Sequence, residues 1–450
     1  MCTSVIWVDF TAATALTAIG AEAFQGMTSL HRVDMSGATQ LANLGANAFS
    51  GCIALTTAKL ASSITVIGAE TFTSTLLSTA AAVNFNTVDC VAATSGGAVV
   101  FIFVCPLQLK WTEGAGGGTV WSARWGHAAV CYDDGVVVTT GGFGIVGTGG
   151  GSEVHTTAAG GTALALVTQS TFIGRAGHAI SRVLGNADAF LVVGGVGMDG
   201  STYLNDALLS PDRGATYIVK SNAVFTSGRW FTALVATGPA TFVAFAGQAK
   251  AGGAVKFNEV RQSTDLGATW TTLRAEGGGG GECSGDAAMW AVRNSVAYAF
   301  MPLRNRILLA GGTYNYQDVW GSDDGGTCWI QLTADSDGTA TMDYNSFWAA
   351  SLVVATLGDI EILVLAAGEW FGGDGRLSSV YRSIDAGVSW DVIPSSGGSM
   401  WPARSYSALV YNLANTRLAI MGGNIGGGSV VNDFWTADAT YLFPKVRHFT

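Results

Sequence analysis

The segment Ser263-Thr-Asp265-Leu-Gly267-Ala-Thr-Trp270 decides the fold, because its pattern Ser-x-Asp-x-Gly-x-x-aromatic occurs four times at regular intervals. The copies comprise Ser210, Asp212, Gly214 and Tyr217; Ser263, Asp265, Gly267 and Trp270; Ser322, Asp324, Gly326 and Trp329; and Ser383, Asp385, Gly387 and Trp390. An Asp carboxylate can accept backbone N–H bonds across a tight turn, a Gly there supplies positive φ, and an aromatic ring packs between sheets. The pattern therefore predicts a series of structural β-hairpins built alike.

A second repeat overlaps the first, with a period of 52 to 65 residues from residue 108 onward. Each of its six units has an apolar strand that ends in two small residues, as in Phe190-Leu-Val-Val followed by Gly194-Gly195. An Asn-Asp pair or a relative of it stands before the third strand in several units, for example Asn205-Asp206. These features resemble kelch repeats, and the Ser-Asp pattern resembles the Asp-box of sialidases. Both resemblances imply a β-propeller, here with six blades.

The two ends of the repeat region predict how the ring of blades closes. The first unit (Thr157-x-Ala159-x-Gly161) and the last (Thr436-x-Asp438) carry degenerate forms of the Ser-Asp pattern. The alternating segment Leu107-x-Leu109-x-Trp111 resembles the fourth strands of other units, so it is expected to complete the last blade and remove a free edge. The competing candidate for that strand is Thr440-Tyr-Leu-Phe443 at the other end.

A shorter repeat of 23 to 25 residues precedes the propeller. Leu16-Thr-Ala-Ile-Gly-Ala-Glu-Ala-Phe24 aligns with residues 41–49 and 64–72, each with a Phe four residues after the Gly. This pattern resembles BspA-type leucine-rich repeats, which implies flat coils stacked on a continuous core. The predicted fold is mainly β: a short leucine-rich-repeat solenoid over residues 1–90, a connecting segment over 91–106, and a six-bladed kelch/Asp-box propeller over 107–450.

Composition excludes several classes of function. Charged residues make up only 12% of the chain, and the net charge is −10, so nucleic acid and anionic lipid are poor partners. The longest apolar run, residues 98–107, is about half the ~20 residues of a membrane helix, so no transmembrane segment is expected. The seven cysteines form no CxxC. Cys90 and Cys105 are the plausible local pair, with buried thiols as the alternative reading.

Catalytic motifs are missing from the sequence. The sialidase resemblance implies a six-bladed fold, but the Phe/Tyr-Arg-Ile-Pro motif of that family is absent from the sequence. The segment Met301-Pro-Leu-Arg304 resembles the motif in composition but not in order. Kelch propellers also include copper-radical oxidases, which need two His, two Tyr and a Cys at the metal. His127 and His178 occupy equivalent blade positions and are read instead as hydrogen-bonding residues of the repeat. The expectation is no catalytic residue, no metal site and no cofactor.

One recurrent feature has a functional reading as well as a structural one. Arginines open several blades at similar positions, with Arg293 as an approximate further member; the clear cases are Arg124, Arg175, Arg229 and Arg404. Their guanidinium groups could gather at one channel mouth as an anion site. The alternative, which the sequence favours, is pairing between blades with acids such as Asp206, Asp318 and Asp433.

The sequence therefore favours a non-enzymatic structural or interaction protein of an extracellular, surface or virion assembly, with protein partners or self-association. Low surface charge suits packing against other protein. No secretory signal is visible at the N-terminus. The alternative is a glycan-binding propeller that uses aromatic stacking platforms, or, behind that, a sialidase-like glycoside hydrolase. The aromatic residues considered as platforms are Trp125, Trp230, Trp320 and Trp370.

Overall fold

The computed structural model describes most of the chain. The described residues are 5, 7–55, 57–61, 63–64, 66–68, 70–72, 74–75, 83–85, 101–103, 109–114, 121–144, 151–158, 164–169, 174–249, 255–277, 289–313, 316–333, 347–358, 360–369, 375–393, 400–443 and 445–447. The Cys90–Cys105 hypothesis lies outside these residues. The chain divides into two compact units, residues 1–108 with 440–450 and residues 109–439.

The second unit is a six-bladed β-propeller, in which each blade is an antiparallel sheet of four strands. The strands are called a to d from the channel outward. Blades 1 to 3 consist of Ala128–Cys131, Val137–Thr140, Glu153–Thr157 and Leu164–Gln169; Ala179–Arg182, Phe190–Val193, Ala207–Ser210 and Ile218–Ser221; and Ala233–Ala236, Phe242–Phe245, Val260–Ser263 and Thr271–Arg274. Blades 4 to 6 consist of Ala297–Met301, Arg306–Ala310, Val319–Ser322 and Ile330–Thr333; Ser351–Leu357, Ile360–Ala366, Val380–Ser383 and Asp391–Ile393; and Ala408–Asn412, Arg417–Gly426, Ser429–Asp438 and Trp111–Glu113. The predicted mainly-β fold and blade number are confirmed.

Blade 6 confirms the predicted ring closure. Its strand d, Trp111–Glu113, comes from the start of the propeller and pairs antiparallel with strand c, with Trp111 opposite Ala437 and Glu113 opposite Trp435. The competing segment forms a short 3-10 helix, Thr440–Leu442, instead of a strand. Closure from the N-terminal side buries Leu109 and Trp111, which are 1% and 4% exposed.

A pair of small residues follows the apolar part of strand b in every blade, and the backbone conformation differs between its two positions. The first position has φ between 56° and 64°, and two blades fill it with alanine, Ala246 and Ala367. The second position has φ between 98° and 114° and is Gly in all six blades. A Cβ is strongly disfavoured in that conformation, so the second Gly of each pair is the one that the backbone requires.

Blades 1 to 3 each contain a two-stranded ribbon. In blades 1 and 2 it pairs the segment before strand a with the segment after strand b, and in blade 3 it pairs the segment after strand b with the segment before strand c. Their strands are Arg124–Trp125 with Phe143–Gly144, Arg175–Ala176 with Val196–Gly197, and Gln248–Ala249 with Val255–Lys256. These ribbons position side chains at one end of the channel.

The first unit contains the solenoid, with two parallel sheets. One sheet consists of Trp7–Asp9, Arg32–Asp34, Thr57–Leu60 and Val83–Phe85, and the other of Ala18–Ile19, Asn43–Leu44 and Val66–Ile67. The phenylalanines of the repeat form a ladder: the rings of Phe24 and Phe49 stack at 5.0 Å between centroids, and those of Phe49 and Phe72 at 5.3 Å. This ladder is the stacked core that the repeat predicts.

The first unit also contains an antiparallel pair formed by Phe101–Phe103 and Lys445–Arg447, which lie on either side of the propeller in sequence. Among the described residues, no helical segment has the length and hydropathy that crossing a bilayer requires.

Candidate functional site: the propeller channel

A ring of six backbone hydrogen bonds surrounds the axis of the propeller. In each blade, the residue two positions before strand a donates its N–H to the carbonyl of the equivalent residue in the preceding blade, at 2.6–3.3 Å. The six residues all have φ between 51° and 65°. They are Gly126, Gly177, Phe231, Ser295, Ala349 and Tyr406. This hydrogen-bond ring joins every blade to both neighbours through backbone alone.

Aromatic side chains fill the axis at the level of this ring. Phe231 and Tyr406 come from opposite blades, and their ring centroids are 4.9 Å apart. Trp125 lies 5.1 Å from Tyr406, and Trp230 lies 4.4 Å from Phe231. A Cβ at Gly177 would approach the Phe231 ring to 3.0 Å, so a small residue there makes room for it. We call this end of the channel the aromatic end.

Polar groups lie beside these aromatic rings. The Ser405 hydroxyl donates to the Glu369 carboxylate at 2.7 Å, and a guanidinium nitrogen of Arg376 lies 3.7 Å from the same carboxylate. Across the axis, the Asn294 amide donates to Gln248 at 2.6 Å. The aromatic end therefore combines flat apolar surfaces with hydrogen-bonding groups, a combination typical of small-molecule sites.

The channel on the other side of the ring is a cavity of about 540 Å³ lined by the a strands of all six blades. Among the described residues that line it, only Asp133 and Arg182 are charged, and they pair with each other at 2.7 Å. Burial raises the pKa of the Cys131 thiol to about 12, so this lining thiol stays protonated at neutral pH.

The arginines that open the blades are buried and paired with acids. Each guanidinium donates to a carboxylate on strand c or just before it: Arg124–Glu153 at 2.5 Å, Arg175–Asp206 at 2.6 Å, Arg229–Glu259, Arg293–Asp318 at 2.5 Å and Arg404–Asp433 at 2.6 Å. All five arginines are at most 1% exposed. The expectation of pairing between blades is wrong in one respect, because each pair joins two segments of the same blade.

These contacts show why pairing within a blade is preferred. Arg175 donates to both Asp206 oxygens and also to the Gly194 carbonyl, so one guanidinium satisfies the carboxylate and the turn after strand b together. Arg293 and Arg404 repeat this arrangement with Gly311 and Gly422. The donors of these guanidinium groups are thus directed at fixed protein acceptors, whereas a channel-mouth anion site needs them free.

Blade 5 lacks this pair but keeps the backbone around it. Phe347 takes the arginine position: its carbonyl accepts the Gly312 amide, as the Arg293 carbonyl accepts that of Gly247. Ser379 takes the aspartate position, since its carbonyl accepts the amide at the first position of the Gly-type turn. Phe347 is fully buried. Two uncharged residues, a phenylalanine and a serine, therefore replace the ion pair in this blade.

The four Ser-Asp hairpins (residues 210–217, 263–270, 322–329 and 383–390) share one set of hydrogen bonds from backbone amides to the Ser and Asp side chains, and three of them add a bond from a Thr or Ser hydroxyl to the carboxylate. The serine hydroxyl accepts the glycine amide, at 2.9 Å for Gly267 on Ser263, and this bond is buried. The carboxylate accepts the amide and hydroxyl of Thr269 at 2.9 and 2.6 Å, and these bonds are exposed. All four glycines have the predicted positive φ, from 81° to 101°.

This arrangement predicts that the serine stabilises the hairpin more than the aspartate does. Ser263→Ala leaves a buried amide unpaired and should lower the free energy of unfolding by about 1–3 kcal/mol. Asp265→Ala exposes its donors to water and should cost roughly 1 kcal/mol or less. Denaturant unfolding of both variants tests the order. An aspartate variant less stable than the serine variant would contradict it.

His127 and His178 occupy equivalent positions, one residue after the hydrogen-bond ring. The Nε2 atom of His178 lies 2.7 Å from the Thr140 hydroxyl, and the His127 ring lies edge-on to Trp121 at 5.2 Å. Burial, together with the nearby charges of Arg124 and Arg175, lowers the pKa of each imidazole from 6.5 to about 3. Both rings are thus neutral in the folded protein.

These pKa shifts predict acid sensitivity. Because the folded pKa lies below the unfolded one, the unfolded chain takes up protons first, and stability falls as the pH drops from 6.5 toward 3. Unfolding in urea should show this loss of stability between neutral pH and about pH 5, which is above the pH range in which most carboxylates titrate. The double variant His127→Gln with His178→Gln should lose less stability over that interval, and His31→Gln, at an exposed site, serves as control. An unchanged slope in the double variant would refute the assignment.

The aromatic residues proposed from sequence as platforms are only partly brought together. Trp125 and Trp230 lie at the aromatic end, whereas Trp320 is 8% exposed and donates its indole N–H to Asp318 at 2.7 Å, so it is not a platform. Trp370 lies outside the described residues. Sequence reasoning missed Phe231 and Tyr406, although both stand two residues after a blade-opening arginine. Among the described residues, no group of three or more His, Cys, Asp or Glu side chains is arranged to hold a metal ion.

Comparison with known proteins agrees with this architecture. Residues 2–89 match the family described as BspA type Leucine rich repeat region, in six copies. A solved structure entitled "Structure of YjhT" is similar over 70% of this chain and 95% of that chain, with a TM-score of 0.50 and 14% sequence identity. At this identity the likeness concerns the fold alone. No curated protein matches the chain. The chain is thus a mainly β protein with a BspA-type leucine-rich-repeat region and a six-bladed propeller.

Proposed function

We propose that this chain is a non-enzymatic interaction protein that serves as a component of an extracellular, surface or virion assembly. The observation that carries the proposal is the outer rim of the propeller. Large apolar side chains on the d strands of four blades are 41–59% exposed: Leu166, Val167, Ile218, Val219, Ile330 and Val392. Single exposed apolar residues are ordinary, but their recurrence on one element of several blades is typical of contact surfaces.

Charge and cysteine chemistry support the setting. Charged residues form 12% of the chain, so electrostatic repulsion does little to prevent this rim from contacting another protein surface. Cys328 is disulfide-bonded, while Cys52 and Cys131 are free. Disulfides persist mainly in oxidising compartments, which favours an extracellular or surface location.

The solenoid offers a second contact surface. Trp7 and Ile53 are 54% and 58% exposed. Leucine-rich-repeat solenoids commonly use such extended surfaces for binding protein. Two surfaces on one chain suit a component that contacts more than one neighbour.

Native mass spectrometry and negative-stain microscopy of the purified full chain test this proposal. We expect particles with more than one copy, which grow in number with protein concentration. A chain that stays monomeric at every concentration, with no ordered contacts between particles, would contradict the assembly role.

Glycan binding is the second candidate, and the aromatic end of the channel is the observation that favours it. Trp125, Trp230 and Tyr406 cluster around Phe231, with Glu369 and Arg376 near Tyr406, and sugars are commonly bound by stacking with polar contacts. Titration with a panel of neutral and acidic oligosaccharides tests this reading. Trp230→Ala should abolish binding if it is correct, while Trp320→Phe, a change remote from the aromatic cluster, should leave it intact.

Sialidase-type hydrolysis ranks behind both candidate functions, because the arginines that would bind a substrate carboxylate are already paired with acids.

A further inference from the structure

Strand d of blade 1, Leu164–Gln169, differs from the other outer strands because neither the strand nor the sequence segments that flank it contain a charged residue. Residues 156–174 contain no Asp, Glu, Lys or Arg. The hairpin that leads into this strand has Ala159 where the Ser-Asp hairpins have an aspartate. The strand is also among the longest d strands, with six residues and neither Gly nor Pro.

The other five blades place charges at the corresponding edge. In blades 2 to 5 the hairpin that leads into strand d contains an aspartate that is not buried, and strand d of blade 6 contains the exposed Glu113; the aspartates are Asp212, Asp265, Asp324 and Asp385. In blade 4 the strand itself is uncharged, and its hairpin has a second exposed aspartate, Asp323, beside Asp324. Charges at edge strands oppose pairing with other strands, so five edges are protected and one is not.

The unprotected edge is exposed in the structure. Within the sheet of blade 1, strand d pairs with strand c alone, so its outer edge has no partner among the described strands. The pairing with strand c is irregular at this point, because Val154 lies opposite Thr168 and His155 opposite Leu166, which leaves Val167 as an extra residue. Leu166 and Val167 are both more than 40% exposed. A neutral β-rich segment with an open edge is a template for strand addition.

We propose that this edge pairs antiparallel with the same strand of a second copy of the chain, which makes a symmetric dimer with one continuous eight-stranded sheet. The charge pattern selects this occupant. In a two-fold arrangement a strand lies opposite itself, so any charge on it or its hairpin approaches its own copy, and like charges across strands are destabilising. The d strand of blade 1 carries none. The proposal rests on the assembly role proposed above and names one of its contacts.

A matched pair of lysine substitutions tests the proposal. Val167→Lys places a charge on the blade 1 edge, and Val392→Lys places one on the d strand of blade 5, where the original valine is equally exposed at 41%. Sedimentation velocity of the full chain over a range of concentrations measures self-association. We expect Val167→Lys to weaken the dimer at least about tenfold and Val392→Lys to leave it unchanged. Equal melting temperatures for both variants and the parent exclude misfolding.

The outcomes separate this proposal from the assembly role. If the parent forms oligomers that survive Val167→Lys and Leu166→Lys, the assembly role stands and the blade 1 edge is not the contact. If Val392→Lys weakens association as much as Val167→Lys does, the contact is not specific to blade 1 and the proposal is wrong. A parent chain that is monomeric throughout overturns both.

Discussion

Replacing Asp206 with Ser should destabilise the propeller by about 3–5 kcal/mol, because Arg175 would remain buried without its carboxylate. Arg175 is 1% exposed and donates to both oxygens of Asp206 at 2.6 and 2.9 Å. Arg175→Phe alone should cost a similar amount, since it strands the carboxylate. Urea unfolding of each single variant measures these losses.

The double variant Arg175→Phe with Asp206→Ser should recover most of the lost stability. Blade 5 already has this combination in Phe347 and Ser379. The backbone of Phe347 lies against Gly311 of the preceding blade, as the backbone of Arg175 lies against Gly141, so the main chain around the two positions is alike. If the double variant loses as much free energy of unfolding as the two single variants together, the ion pair does more than neutralise two buried charges. Blade 5 would then not be a valid model for the other blades.

Removing the closing strand should have the largest effect on the propeller. Replacing residues 109–114 by a Gly-Ser linker of equal length exposes the cavities that Leu109 and Trp111 fill, at about 1.5–3 kcal/mol for each buried side chain. It also frees the edge of strand c in blade 6, so the variant should aggregate. Light scattering and a thermal melt measure both results. A soluble monomer with an unchanged melt would show that the ring does not depend on this strand.

Two proline substitutions within the closing strand provide a finer test. The Gly114 amide donates to Phe434 at 2.7 Å, so alternation along an antiparallel ladder directs the Thr112 amide inward and the Glu113 amide outward. Thr112→Pro should therefore lower the melting temperature by several degrees, whereas Glu113→Pro on the free edge should change it little. Equal effects of the two prolines would contradict the register.

The sequence predicted those parts of the fold that depend on side-chain identity. Alternation in residues 107–111 identified the closing strand, and the recurring arginine and aspartate positions identified ion pairs such as Arg404–Asp433. The hydrogen-bond ring could not be found in this way. Its bonds use backbone atoms, and positions such as Gly126, Phe231 and Tyr406 have no side-chain chemistry in common. Trp125 and Trp230 of the aromatic end were singled out from the sequence, whereas Phe231 and Tyr406 were missed, because their contact depends on which blades face each other across the axis.

Trp320 shows a different limit of the sequence pattern. A tryptophan in a chain with few charges reads as an exposed platform, but Asp318 two residues earlier accepts its indole N–H and also binds Arg293. Trp435 and Asp433 repeat the arrangement in blade 6. The indole thus donates to the carboxylate that Arg293 also binds. The sequence pattern does not predict this contact, because it depends on how the two segments are placed in the blade.

The antiparallel pairing of strand d with strand c in blade 6 determines how the propeller responds to mechanical force. Trp111 lies opposite Ala437, so the points where the chain enters and leaves the propeller are at the same end of this pair. A pull applied between those two points loads the hydrogen bonds one after another, as when a zipper is opened, instead of shearing all of them at once. The propeller should therefore open at low force from residues 111 and 437, while the five other blades are still intact. The propeller would resist tension only if neighbouring molecules in an assembly bind to its blades and not to the segments at its two ends.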